Sequence, residues 1–216
     1  MAVILPYDAT PLEQLAQHVQ AVLHRSGVLG IPTETFYGLG VNPFDPTALS
    51  RLCTVKRRFE GTPILVLVSS PHDLSLFAEH VPTAASILME VFWPGPLTIL
   101  FPARATLPAA VTGGTGRVGI RLSSCQPLRA LLERVGPLTG TSANRTGAVP
   151  AHTPGEMQDT LGQEVDLIVD AGPTPGGSPS TVVEVAAALR VVREGAIARD
   201  TIEAALRPRG FSLKKS

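Results

Sequence analysis

Thr54-Val55-Lys56-Arg57-Arg58-Phe59-Glu60-Gly61-Thr62-Pro63-Ile64-Leu65-Val66-Leu67-Val68 is the stretch on which the fold turns. Three cations stand where a helix gives out, a turn holding Gly61 and Pro63 follows, and five apolar residues then run without a break. The unbroken run predicts a strand covered on both faces, which belongs to an α/β layer arrangement rather than to a sheet with one wet side. Cations in a last helical turn complement the helix dipole by about 0.3–1 kcal/mol each, so alone they are no signature. Cations at the mouth of a buried strand are also a means of gripping a polyanion. The rest of the chain has to separate the two readings.

Toward the N-terminus, Thr10-Pro11-Leu12-Glu13 reads as a helix start. Thr10 is placed to cap, Pro11 to take the first helical position and Glu13 to return a hydrogen bond. Leu12, Leu15, Ala16, Val19, Val22 and Leu23 recur at helical spacing, and Gly27 supplies a stop. A short strand at 28–31 runs into Pro32-Thr33-Glu34-Thr35-Phe36-Tyr37-Gly38-Leu39-Gly40. There, small polar groups are dense, and two glycines let the backbone pass close to something. Asp45-Pro46 starts the helix that ends in the cations, with Leu49, Leu52 and Cys53 inward.

Toward the C-terminus, Ser70-Pro71-His72-Asp73 caps a third helix. Pro82 opens a fourth, with Ile87, Leu88, Val91 and Phe92 on one side, and Trp93-Pro94-Gly95-Pro96 breaks it. Strands are predicted at 97–101, 118–122, 137–140 and 166–170, with a strand pair at 180–185 and 189–193. A helix covers 127–135, and Asp200 and Glu203 are placed to cap a last one holding Ile202, Ala205 and Leu206. The tail from 208, with Lys214 and Lys215, is expected to be solvated and frayed. No internal repeat or linker divides the chain. The fold class is α/β: one domain over 1–216, core about 8–207, with a twisted mixed parallel and antiparallel sheet and flanking helices around a basic concave cleft. The polar segments sit at strand ends, where open α/β sheets place ligands.

Composition narrows the function. Lys+Arg 18 balance Asp+Glu 18, which argues against coating nucleic acid by bulk charge. The two cysteines, Cys53 and Cys125, lack metal-ligand spacing and suit reduced thiols in a reducing compartment. The N-terminal Met1-Ala2-Val3-Ile4-Leu5-Pro6 lacks a basic segment, and no apolar run approaches the ~20 residues of a membrane span. A soluble cytoplasmic protein without a membrane partner is the expectation.

The unusual polar residues are Thr33, Thr35, Tyr37, Lys56, Arg58, Arg121, Ser142, Asn144, Ser180, Thr181 and Arg193. The sequence holds no HExxH pair, no Cys/His cluster, no GxxxxGK[ST] loop and no convincing GxGxxG. No metal site and no tightly bound cofactor are expected. This is an inventory for holding anions and orienting small polar groups. It suits a reaction in which the substrate brings its own nucleophile and the protein supplies positioning and charge relief.

Seven segments, in order, carry a resemblance: residues 32–40, Lys56-x-Arg58, Trp93-Pro94-Gly95-Pro96-Leu97-Thr98, Val118-Gly119-Ile120-Arg121, Ser142-Ala143-Asn144, Pro179-Ser180-Thr181-Val182 and Arg193-Glu194-Gly195-Ala196-Ile197. Together they resemble the YrdC-like family, threonylcarbamoyl-AMP synthases, over about residues 10–207. The resemblance implies that L-threonine, bicarbonate and ATP, with Mg²⁺ as part of the ATP complex, give threonylcarbamoyl-AMP and pyrophosphate. Other proteins then pass the group to an adenosine of certain tRNAs. It implies Lys56 and Arg58 as the catalytic, phosphate-holding pair and Ser142, Asn144 and Arg193 as further ATP contacts. It further implies that Thr35, Arg121 and Ser180 hold L-threonine, with Arg121 on its carboxylate, and that Tyr37 walls the pocket.

The chain departs from the family's pattern at four places. Arg57 and Phe59 stand where Gly and Pro are frequent, and Thr62 and Leu67 where many members carry ligand-contacting Asn and His. It looks like the single-domain type. Two other readings stand beside this one: a module that grips tRNA or double-stranded RNA without chemistry, and a related enzyme handling a different carbamoyl donor for another acceptor.

Overall fold

A computed structural model describes residues 1–58, 61–186 and 189–214. Phe59 and Lys215, singled out above, lie outside the described residues. Strands β1 (Val3–Pro6), β2 (Leu29–Ile31), β3 (Gly38–Gly40), β4 (Val66–Val68), β5 (Leu97–Pro102) and β6 (Arg117–Leu122) are followed by β7 (Leu138–Thr139), β8 (Thr141–Ser142), β9 (Leu167–Asp170), β10 (Thr181–Val185) and β11 (Leu189–Arg193). The helices are α1 (Leu12–His24), α2 (Pro46–Lys56), α3 (Leu74–Phe77), α4 (Thr83–Phe92), α5 (Ala109–Thr112), α6 (Gln126–Val135), α7 (Pro154–Leu161) and α8 (Arg199–Leu206).

The mixed pairing is as expected, but it is divided between two sheets. One runs β1-β9-β2-β3-β8 and the other β11-β10-β5-β6-β4-β7. In the first, β9 is parallel to both β1 and β2, and β3 is antiparallel to β2 and β8. In the second, β5 and β6 pair antiparallel at the centre, with β10 and β4 parallel to their respective neighbours. The chain steps from one sheet to the other at Gly140, the single residue between β7 and β8. A Cβ there would collide with the side chain of Leu67, so the close passage needs glycine. Thr139 fastens the step, accepting the Val41 N–H on its hydroxyl at 2.9 Å and donating its own N–H to the Val41 carbonyl at 2.9 Å.

The apolar run around β4 is buried on both faces. Val66 and Val68 point into the larger core with Leu52, Phe77 and Ile120, while Leu67 joins Leu15, Ile31 and Leu132 on the other side. The departure at Leu67 thereby acquires a structural meaning: the side chain is core and is not among the residues lining the cavity described below. α1 buries Leu15, Ala16, Val19 and Val22 against α6, as the spacing predicts. In α4, Ile87 and Leu88 are buried but Val91 is exposed, because the inward stripe includes Ala84 and Ala85 instead.

Helix ends separate what local sequence decides from what packing decides. Asp45 caps α2 by accepting the N–H groups of Thr47 at 2.9 Å and Ala48 at 3.2 Å. The helix ends with Arg57 at φ 49°, a left-handed position that glycine occupies without steric cost and that other residues fill at about 1–2 kcal/mol. α1 does not use the expected Thr10 cap, and its stop residue is Ser26 at φ 57°, with Gly27 following where a Cβ would meet Val22. α7 was not anticipated, although Thr153-Pro154-Gly155-Glu156 repeats the start signal of α1. Here the signal is realised: Thr153 accepts the Glu156 N–H at 3.1 Å, and Glu156 accepts the His152 N–H at 2.7 Å.

β1, also unread in the sequence, is an edge strand on β9. α8 starts without Asp200 as its cap; the Arg199 N–H donates to Glu194 at 2.9 Å instead. Glu203 accepts the Leu213 N–H at 2.8 Å, Leu213 is buried, and Lys214 N–H donates to Leu189 at 2.7 Å. The tail through Lys214 is therefore docked rather than frayed.

Leu67→Ala removes a fully buried side chain that both sheets pack around. It should cost about 2–5 kcal/mol, read as a lowered urea midpoint at unchanged slope. A loss below about 1 kcal/mol would mean the site collapses freely and Leu67 does not tie the layers.

Candidate functional site

Between the two sheets lies a cavity of about 530 Å³. β3 and β8 present Gly38, Thr141 and Ser142 to it; β5, β6 and β11 present Thr98, Arg121 and Arg193. Gly119 opens its floor: a Cβ there would stand 3.3 Å from the Thr98 methyl and 3.2 Å from a Leu100 methyl. Of the residues expected in the site, Thr35, Arg58, Arg121, Ser142, Ser180 and Arg193 line this one space. Among the described residues the lining holds no carboxylate, imidazole or thiol.

Lys56 and Asn144 stand behind Ser142 rather than on the wall. The buried Lys56 ammonium donates to the Ser142 carbonyl at 2.6 Å, to Asn144 Oδ1 at 3.0 Å and to Ser142 Oγ at 3.4 Å. Ser142 Oγ donates to Asn144 Oδ1 at 2.6 Å. The Asn144 amide nitrogen is spent on the Ala148 and Arg145 carbonyls, at 2.7 and 3.0 Å. All these acceptors are neutral. Burial, followed by the nearby Arg58 charge, pulls the Lys56 ammonium down to about 8 from 10.5.

The guanidinium groups are held largely by neutral oxygens too. Arg58 donates to the Thr62 carbonyl and to that of Pro63 at 3.3 Å; its Nε is buried with no hydrogen-bond partner among the described residues. Arg193 donates to the Ser180 carbonyl at 2.8 Å and to Ser180 Oγ at 3.2 Å, and Ser180 Oγ pairs with Thr98 Oγ1 at 2.9 Å. Burial, then the charge of Arg121, lowers the pKa of Arg193. Arg121 is buried on β6 and faces Glu34, with Nη1 and Oε1 3.6 Å apart. Arg58 thus disfavours the charge on Lys56 and Arg121 that on Arg193, an arrangement that a nearby anion would relieve.

The hydroxyl groups have separable duties. Thr33 Oγ1 donates to the Phe36 carbonyl at 2.7 Å and accepts the Thr35 N–H at 3.1 Å, which builds the turn. Thr35 Oγ1 pairs with Thr33 Oγ1 at 3.1 Å and faces the cavity. Tyr37 is fully buried, as a wall should be; its hydroxyl donates to the Gly172 carbonyl at 2.8 Å, and burial pushes it up to about 12. Thr181 is a clamp rather than a ligand group: its hydroxyl donates to the Ile197 carbonyl at 2.6 Å and accepts the N–H groups of Gly195 and Ile197 at 3.0 Å.

Thr98 and Glu34 lie within the recognised motifs, yet the motifs imply no role for either. The signal for Thr98 was one hydroxyl inside an otherwise apolar strand; for Glu34 it was a carboxylate next to a strand that is buried throughout. Both cysteines are free thiols, with Cys53 half-buried beside Arg58. Among the described residues no cluster of three His, Cys, Asp or Glu could hold a metal ion, and no helix is long and apolar enough to cross a membrane.

With this geometry in hand, comparison with known proteins is specific. The Sua5/YciO/YrdC family model, described as "Telomere recombination", matches residues 21–195. A threonylcarbamoyl-AMP synthase of Alkalilimnicola ehrlichii is 37% identical over 172 residues, 79% of this chain and 89% of that protein. A threonylcarbamoyl-AMP synthase of Bacillus subtilis is 35% identical over 199 residues, 90% of this chain and 57% of that protein. The crystal structure of P. abyssi Sua5 complexed with L-threonine superposes with a TM-score of 0.89 at 26% identity, over 99% of this chain and 62% of that one. The chain thus spans under two thirds of the two longer relatives.

The electrostatics give an expected pH response. Below about pH 8 Lys56 keeps its proton whether or not an anion is bound, so anion affinity should be flat. As pH rises from about 8 toward 10.5 the free site loses that proton and binding must restore it, so affinity falls. The limit is about tenfold per pH unit. Titration with inorganic pyrophosphate, taken as the ratio of wild type to Lys56→Gln, cancels the probe's own ionisation. A ratio unchanged between pH 7 and 9.5 would sink the assignment.

Proposed function

The chain belongs to the Sua5/YciO/YrdC family, and from that premise we propose that it makes threonylcarbamoyl-AMP and pyrophosphate from L-threonine, bicarbonate and ATP. The observation that carries the reading is the single cavity where Arg58, Arg121 and Arg193 converge with the hydroxyls of Thr35, Ser142 and Ser180. Such a wall binds a polyanion and an amino acid together but supplies no strong base. The chemistry needs none from the protein. Bicarbonate takes the ammonium proton of threonine and gives carbon dioxide and water; the freed amine adds to the carbon dioxide and releases one proton to solvent, leaving a carbamate. A carbamate oxygen attacks the α-phosphorus of ATP, and pyrophosphate leaves with the electron pair of the broken P–O bond. The protein's share is alignment and relief of charge on the phosphates.

Roles follow from position. Arg58, Arg193 and Ser142 meet the triphosphate; Lys56 exchanges one neutral acceptor for a phosphate oxygen, which restores the full charge that burial weakens. Asn144 fixes Ser142 and Lys56 for that exchange. Arg121 takes the threonine carboxylate, with Thr35 and Ser180 on its polar groups. ATP arrives with Mg²⁺ held by its own phosphates and water, since the described lining offers no carboxylate. The product then goes, through threonylcarbamoyl-transferring proteins, to tRNA in the cytoplasm.

Pyrophosphate release should require all three substrates, and mass analysis should find threonylcarbamoyl-AMP. Release that continues without L-threonine or without bicarbonate overturns the reading. Arg58→Ala removes charge-assisted bonds worth about 1.5–3 kcal/mol, so turnover should fall at least roughly tenfold at an unchanged melting temperature. Full activity in that variant removes Arg58 from the mechanism.

A further inference from the structure

Arg121 is the most enclosed cation of the site, with only 5% of its side chain exposed. A buried guanidinium is costly unless paired. Among the described residues its ion-pair partner is Glu34, and the pair is an unusual one. Nη1 and Oε1 are 3.6 Å apart, close enough for strong Coulomb attraction but too far for a hydrogen bond. Arg121 Nε and Glu34 Oε1 are both buried without a hydrogen-bond partner among the described residues. The other carboxylate oxygen, Oε2, is held firmly by the Ser123 hydroxyl. Ser123 is itself fully buried and accepts the Cys125 N–H at 3.2 Å.

We propose that Glu34 is a positioning residue: clamped by Ser123, it compensates the charge of Arg121 while leaving the guanidinium fork open for the carboxylate of the amino-acid substrate. The inference rests on the proposed function, because it concerns the residue assigned to that carboxylate. A bidentate Glu34–Arg121 pair would spend the donors that the substrate needs. No counter-charge at all would leave Arg121 facing Arg193, which it already disfavours. The offset pair meets both demands. Glu34 Oε1 is buried and Glu34 is not among the cavity's lining residues, so it acts through Arg121 and does not touch substrate.

Glu34→Gln keeps the shape and removes the charge. The KM for L-threonine should rise about tenfold or more, while the KM for ATP stays within about twofold. In an Arg121→Met background, where threonine binding is read by calorimetry, adding Glu34→Gln should change nothing further. Ser123→Ala, which frees the clamp but keeps the charge, should show the same split more weakly, and it decides the question if Glu34→Gln does not fold. Wild-type threonine affinity in these variants, equal weakening of both substrates, or an undiminished effect without Arg121 each overturns the inference. If wild-type protein shows no threonine-dependent turnover, the proposed function falls and takes this inference with it. If wild type turns over and the variants are indifferent, the inference falls alone.

Discussion

The Lys56 ammonium is the contact on which the site's geometry depends. It reaches from the end of α2 to the strand exit behind the cavity wall and closes a triangle with Ser142 and Asn144. The backbone of the same residue holds the next loop, because the Lys56 carbonyl accepts both the N–H and the hydroxyl of Thr146 at 2.9 Å. Helix end and strand exit are thus fixed by one residue. Burial, and then the charge of Arg58, loosen its hold on the proton, and the oxygens around it carry no charge of their own to offset that. Arg121 shows the opposite arrangement, a cation whose compensation is a full carboxylate. On the proposed function, the triphosphate lies toward Lys56 and Arg58, whose described oxygen partners carry no charge.

Neither sheet makes the site alone. The first contributes a glycine-rich hairpin and the short strand carrying Ser142; the second contributes Thr98, Arg121 and Arg193 from its central and edge strands. The floor of the space between them is open because Gly119 brings no side chain against Thr98 and Leu100, while Tyr37 and Thr181 hold the surrounding loops by their hydroxyls. Polar groups that look alike in sequence divide here into those that hold backbone and those left facing the void.

Most of the strands and helices were legible because burial is periodic. β4 reads as a strand covered on both faces and is one, and α1 buries Leu15, Ala16, Val19 and Val22 of its expected stripe while Leu12 and Leu23 at its ends stay half-buried. Capping was less legible. Thr10 and Thr153 stand in the same four-residue pattern, yet only Thr153 caps, since tertiary packing decides whether a local hydrogen bond is used. β1 and the docked tail at Leu213 escaped because each is stabilised by partners more than twenty residues away or by a single carboxylate, neither of which leaves a local period. The site residues were named from motif resemblance, and the cavity gathers six of them on its wall with Lys56 and Asn144 behind. The meaning of Glu34 and Leu67 lay in contacts across the fold, which no window of sequence displays.

Gly140 joins two sheets with one residue and no slack. Side chains alternate along a strand, so adding or removing a single residue there would turn Thr141 and Ser142 onto the opposite face and unmake the triangle with Lys56. The segment from Leu138 to Ser142 is in that sense a ruler. Descendants of this sequence can exchange its letters more readily than its length, and insertions that enlarge or adapt the molecule have to enter elsewhere.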